Sequence, residues 1–212
     1  MNELNSSVMK RQQFILGWLC FALPFASILF GWFGERTNVN YPDWWYSISS
    51  TFYANSNIIM IGLLFTTAIY FWSYLGYDKF DDIVTKICAV SAFGIISFPT
   101  YTEYEQFVGI FSLPTNISQI IHCIFAFAFY LGFVVMIFRF RKSNGTMTDK
   151  KKLRNKFYLV FGIINIACIA LIVLKNIFKW PDYTIIFLET ILQVCCGFAW
   201  LIKSEAFKIL ND

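Results

Sequence analysis

Apolar residues gather into six runs, 14–33, 57–75, 83–101, 117–138, 157–174 and 185–202, separated by polar segments. At about 1.5 Å rise per residue, about 20 residues reach across a hydrocarbon core of about 30 Å. In that core every backbone polar group must bond within its own segment, so each run predicts a helix. The pattern predicts an all-α, polytopic transmembrane bundle of six spans, forming one integral membrane domain over 1–212. Pro24 is expected to kink the first span.

The polar segments add detail. Residues 1–13 carry Lys10 and Arg11 ahead of the first run, as a signal peptide would. That run is long and lacks a small-x-small cleavage site, so an uncleaved span is expected. Trp44, Trp45 and Tyr46 read as an interfacial belt of amphipathic rings. The short GYDKFDD segment predicts antiparallel neighbours for spans two and three, with Asp81 or Asp82 capping the third. Lys86, one turn in, is expected to extend its head back to the interface. Residues 102–116 hold two Glu and no Lys or Arg, as an outer loop would.

Charge then orients the bundle. Between runs four and five, the loop 139–156 holds eight basic residues: Arg139, Arg141, Lys142, Lys150, Lys151, Lys152, Arg154 and Lys156. Six spans place fourteen of the seventeen Lys and Arg on the side of that loop and both termini, leaving Arg36, Lys175 and Lys179 opposite. Under the positive-inside rule the chain is N-in and C-in. The eight are also the expected contacts for anionic lipid or a cytoplasmic protein partner. Nucleic acid is not an expected partner, because the basic residues sit beside spans, where they set topology. Nothing in the chain assigns an oligomeric state.

Composition supports the membrane reading. The chain is 58% hydrophobic and 14% charged, whereas soluble domains are about half apolar and a quarter charged. All six cysteines lie inside apolar runs, where they act as small hydrophobes, and Cys195 with Cys196 is expected to face lipid. One histidine in the whole chain falls short of the three or four ligands of a zinc site, so no metal is expected. No cofactor is expected either, since no phosphate-cradling glycine loop is present. The glycines, about one per helix, read as ordinary close packing.

An ionisable side chain inside a span costs about 2.5–3.5 kcal/mol to insert, so each one asks for a reason. His122 and Glu189 lie near the outer ends of spans four and six, roughly 6–8 Å below the interface by helical rise. The functional expectation is that they face one another in an outward pocket that binds a ligand or a proton. The structural alternative is an interhelical hydrogen bond worth about 0.6–2 kcal/mol. Ser47, Ser50 and Tyr53 recur at three-residue spacing, as one face of a short helix capped by Asp43. With Tyr101, Glu103 and Glu105 they are candidates to ring the pair. A Ser, His and acid set is available from Ser47 or Ser50, His122 and Glu189, but no G-x-S-x-G elbow accompanies it.

The runs SISSTFYA, LGYDKFDD, SAFGIISFPT, RNKFYLVFGI and FLETILQVCCGFAWLIK, with a His early in span four, resemble an uncharacterised class of small bacterial polytopic membrane proteins. That resemblance covers about 47–203 and implies an inner-membrane helical bundle with no established activity. In size and character the chain is also similar to small multi-spanning accessory proteins encoded beside RNA-targeting CRISPR effectors. The leading functional expectation is a non-enzymatic accessory or regulatory protein of the bacterial cytoplasmic membrane. A small transporter or proton-coupled ligand-binding protein using His122 and Glu189 is the second. An accessory role in CRISPR or other antiviral defence and a membrane-embedded hydrolase are the remaining alternatives.

Overall fold

The computed structural model describes residues 3–35, 45–55, 57–142 and 146–211. Six α-helices carry the fold: α1 (Glu3–Glu35), α2 (Asn57–Ser73), α3 (Lys79–Ser97), α4 (Thr115–Arg139), α5 (Asp149–Phe178) and α6 (Thr184–Lys203). Each packs on the next in sequence, and α6 returns to α1, so the helices close a ring. Contacts at both ends make neighbours antiparallel. The start of α1 meets the ends of α2 and α6 through Gln13–Tyr74 and Lys10–Glu205. The end of α3 meets the start of α4 through Phe98 and His122.

Among the described residues, four helices are long and apolar enough to cross a membrane: Ser6–Phe33, Thr115–Arg139, Asp149–Lys175 and Thr184–Lys203. The expectation of six spans is therefore met only in part. α2 has 17 residues, about 25 Å at helical rise. α3 is charged at its start, where Lys79, Asp81, Asp82 and Lys86 fall within two turns.

Several boundaries differ from the expected ones for local reasons. α3 begins at Lys79 because Asp78, not Asp81 or Asp82, is its N-cap, accepting from the Phe80 and Asp81 N–H groups at 3.1 Å each. Lys86 turns to Asp82 one turn back, at 2.6 Å. The basic loop is shorter than 139–156. α4 runs to Arg139, and α5 starts at Asp149, where the Thr148 hydroxyl accepts the Lys151 N–H at 3.1 Å. Lys and Arg are good helix formers and Asp149 complements the helix dipole, so KKKLRNK coils rather than loops. Residues 102–116, expected as plain loop, contain an antiparallel pair, β1 (Phe107–Val108) and β2 (Leu113–Pro114). Its turn needs Gly109, at φ 73°, where a Cβ would lie 2.6 Å from the Ser97 carbonyl oxygen.

The core is aromatic and gathers toward the end that carries the basic segment. Trp200 is fully buried and meets Phe71, Tyr74 and Phe140 edge-on, with centroids 5.7, 5.2 and 4.7 Å away. Such pairs contribute about 0.5–1.5 kcal/mol each beyond burial. α1 and α6 cross at Gly17 and Gly197, where a Cβ on Gly17 would stand 2.6 Å from Leu201; small residues let the two backbones approach. Cys195 and Cys196 are buried, not lipid-facing, because both lie on the face of α6 turned to the bundle.

At the same end, Arg139 clamps the α2–α3 turn. Its Nε donates to Asp81 at 2.6 Å and its Nη2 to Asp78 at 2.5 Å, while Lys142 reaches Asp78 at 3.2 Å. The Asp81 N–H, then Arg139, hold the Asp78 carboxyl at about 2, below its ordinary range. Lys150 and Arg154 donate to the Asn211 and Leu210 carbonyls, and Lys151 to that of Phe140. Part of the basic segment thus fastens the fold. Arg141, Lys142, Lys150, Lys152 and Lys156 remain exposed.

Candidate functional site

The opposite end of the bundle is built around the breakdown of α3. Pro99 follows its last turn, and the carbonyls of 98–101 have no helical donors. Polar residues in the first turns of α4 organise that strand: Ser118 donates to the Pro99 carbonyl at 2.7 Å, and His122 Nδ1 to the Phe98 carbonyl at 2.7 Å. Gln119 Oε1 accepts from Thr100 Oγ1 and the Tyr101 N–H, both at 2.6 Å. Tyr53 adds its hydroxyl to the Thr100 carbonyl at 2.5 Å.

A second irregular strand, 45–55, lies against α6 and contains a 3₁₀ turn over Ser49–Tyr53. Ile186 N–H donates to the Tyr46 carbonyl at 3.1 Å. One residue before the turn, Ile48 N–H donates to Glu189 Oε2 at 2.7 Å. Ser47 accepts the Ser50 N–H at 2.9 Å and shares a hydroxyl bond with Ser50 at 2.8 Å. That cap is local; the Asp43 and Trp44 expectations lie outside the described residues. Trp45 stacks on Tyr183, with centroids 6.2 Å apart.

These strands and helices enclose a cavity of about 340 Å³, within the roughly 300–1,000 Å³ of small-molecule sites. Its polar surface comes from Ser47, Ser49, Thr100, Gln119, His122 and Glu189, and its walls from Ala126, Phe127, Ile169, Ile172, Val173 and Ile185. Cys123, Phe127 and Val173 of α4 and α5 line the cavity and are exposed, so the cavity is open beside them.

His122 and Glu189 line this one cavity, but they do not pair. Each is satisfied elsewhere: His122 by Phe98 and by Ser49 Oγ, 3.0 Å from Nε2, and Glu189 by the Ile48 N–H. The irregular strand 45–55 supplies the partners that a helix-only reading omits. Of the other candidates, Ser47 reaches the cavity, Ser50 and Tyr53 support the strands, and Tyr101 contributes its N–H while its ring is exposed. Glu103 and Glu105 are exposed. Ser49, Thr100, Gln119 and Cys123 were not expected in the site. For Gln119 the signal was present: polar residues at 118, 119 and 122 share the opening turns of α4. Among the described residues no group of three or more His, Cys, Asp or Glu is placed to hold a metal.

The described residues form an antiparallel ring of six α-helices with a cavity beside the end of α3, and four of these helices are long and apolar enough to cross a membrane. No protein-family model, curated protein or solved structure matches the chain.

Proposed function

We propose that the chain is a bacterial cytoplasmic-membrane protein whose cavity takes a single-chain amphiphile from the outer half of the bilayer. The observation that carries this is the cavity's apolar lining, open beside exposed residues of α4 and α5, with the Glu189 carboxyl at its polar end. A chain lies along Ile169, Ile172 and Val173, and a hydrogen-bond-donating head, best an ammonium, meets Glu189. In this reading all six helices cross or enter the membrane. The basic end is cytoplasmic, which puts the cavity on the far side.

The test is binding of an alkylammonium probe to the protein in nanodiscs. Glu189→Gln keeps an oxygen for the Ile48 N–H and removes the charge. It is expected to weaken that probe by about 10- to 100-fold, since hydrogen bonds to charged groups contribute about 1.5–3 kcal/mol. An alkyl carboxylate probe is expected to bind poorly to the wild type. Equal binding of both probes, unaffected by Glu189→Gln, contradicts the reading.

An accessory role at the cytoplasmic end is a second reading. It is supported by the five exposed basic side chains Arg141, Lys142, Lys150, Lys152 and Lys156. Lys142, Lys150 and Lys152 already bond Asp78, the Asn211 carbonyl and Asp149, so Arg141 and Lys156 carry the attraction, about 1 kcal/mol each at an anionic surface.

A further inference from the structure

We propose that Ser49 is a nucleophile activated by His122, and that the cavity cleaves a carboxylic ester of a single-chain amphiphile. This rests on the amphiphile reading of the cavity and adds a reaction to it.

The proton positions follow from the partners. A carbonyl oxygen only accepts, so at 2.7 Å from the Phe98 carbonyl His122 Nδ1 carries the hydrogen. In the neutral ring Nε2 is then bare, and at 3.0 Å it takes the Ser49 hydroxyl hydrogen. Hydroxyl, base and orienting acceptor stand in the order that nucleophilic catalysis requires, with a backbone carbonyl in place of the usual carboxylate. His122 is buried while Ser49 is half-buried and lines the cavity, so the base is held and the nucleophile can be reached.

Two more residues complete the set. Glu189 does not orient the imidazole; by accepting the Ile48 N–H it positions the backbone next to Ser49. The amide oxygen of Gln119 is fixed by two donors, which turns its NH₂ group away from them, and that group reaches Cys123 Sγ at 3.2 Å with one hydrogen. Gln119 and Ser49 line the same cavity, so that amide is the candidate donor for the oxyanion.

The reaction balances without a cofactor. Ser49 Oγ attacks the ester carbonyl carbon as its proton moves to His122 Nε2. The tetrahedral adduct expels the alkoxide, which takes that proton and leaves as the alcohol, with the acyl group on Ser49. Water then attacks the acyl carbon, giving a proton to Nε2, and collapse returns that proton to Ser49 Oγ and releases the acid.

The experiment exposes the full chain in nanodiscs to an alkyl fluorophosphonate and locates adducts by peptide mass spectrometry, beside alkylammonium binding to the wild type. One adduct on Ser49 is expected. Ser49→Ala should abolish it, His122→Gln should slow it at least about 100-fold, and Ser73→Ala, at the far end of α2, should leave its rate unchanged, each variant being checked by thermal unfolding. A wild type that binds alkylammonium but stays unlabelled overturns the reaction and leaves the cavity reading standing. Labelling that His122→Gln does not slow overturns the activation of Ser49. A wild type that neither binds nor labels overturns both.

Discussion

The two ends of the bundle solve the burial of polar groups in opposite ways. At the basic end, charge meets charge: Arg139 joins Asp78 and Asp81 beneath a packed cluster of Trp200, Phe71, Tyr74 and Phe140. At the other end, an acid and an imidazole share one cavity, and each is satisfied by backbone or hydroxyl groups of two irregular segments, 45–55 and 98–101. Ion pairs that close on each other leave no capacity for a ligand, whereas groups held apart by backbone partners keep faces turned to empty space. The difference separates scaffold from site within one chain.

The largest effect that sharpens this contrast is at the clamp. Asp81 is almost wholly buried, with its side chain 2% exposed, so Arg139→Ala should cost about 3 kcal/mol by leaving a carboxylate without its cation. Asp81→Asn in the same chain should restore part of that loss. Thermal unfolding in detergent over the four-member cycle checks it, with an expected coupling of about 1–3 kcal/mol. Smaller effects are expected across the cavity. His122→Ala and Glu189→Ala release the adjacent residues Ser49 and Ile48 of one segment, so a coupling of about 0.5–1 kcal/mol is expected, below that of the clamp. Strong coupling there would mean that the two residues pair after all.

The smallest effect concerns acid. The Asp78 carboxyl titrates at about 2 in the folded protein against an ordinary 3.8. A lowered folded pKa means that the unfolded chain binds the proton first. The contribution of Asp78 is therefore complete above about pH 4 and is lost as the pH falls toward 2. Unfolding temperatures of the wild type and Asp78→Asn should converge over that window. Parallel curves would show that the cap and Arg139 do not hold the carboxylate.

Much of this was legible before the structure. The apolar runs gave six helices, because run length and composition are local properties, and the basic segment does share an end with both termini. His122 and Glu189 were found by their cost in an apolar run, and they do share a cavity. Their pairing was not legible, since polar residues on two helices say nothing of a third strand between them. Ser49 was hidden for the same reason. It sits among hydroxyls in SISST, and only the 3₁₀ turn decides which one meets the imidazole. Asp78 is not legible as a cap from the apolar run, which begins at 83, whereas the helix begins where a side chain first captures its free N–H groups.

Cys123 gives the most direct test of the cavity as a binding site. It lies on the cavity wall and is exposed, while the other five cysteines are buried, so it reports occupancy without any substitution. In nanodiscs, alkylation of Cys123 by a membrane-soluble maleimide is followed with and without alkylammonium at ten times its Kd. Occupancy then leaves about one site in eleven open, and alkylation should slow about tenfold. Glu189→Gln at the same probe concentration should recover most of the unprotected rate. An alkylation rate that the probe leaves unchanged in the wild type, while the probe binds elsewhere on the protein, contradicts the account.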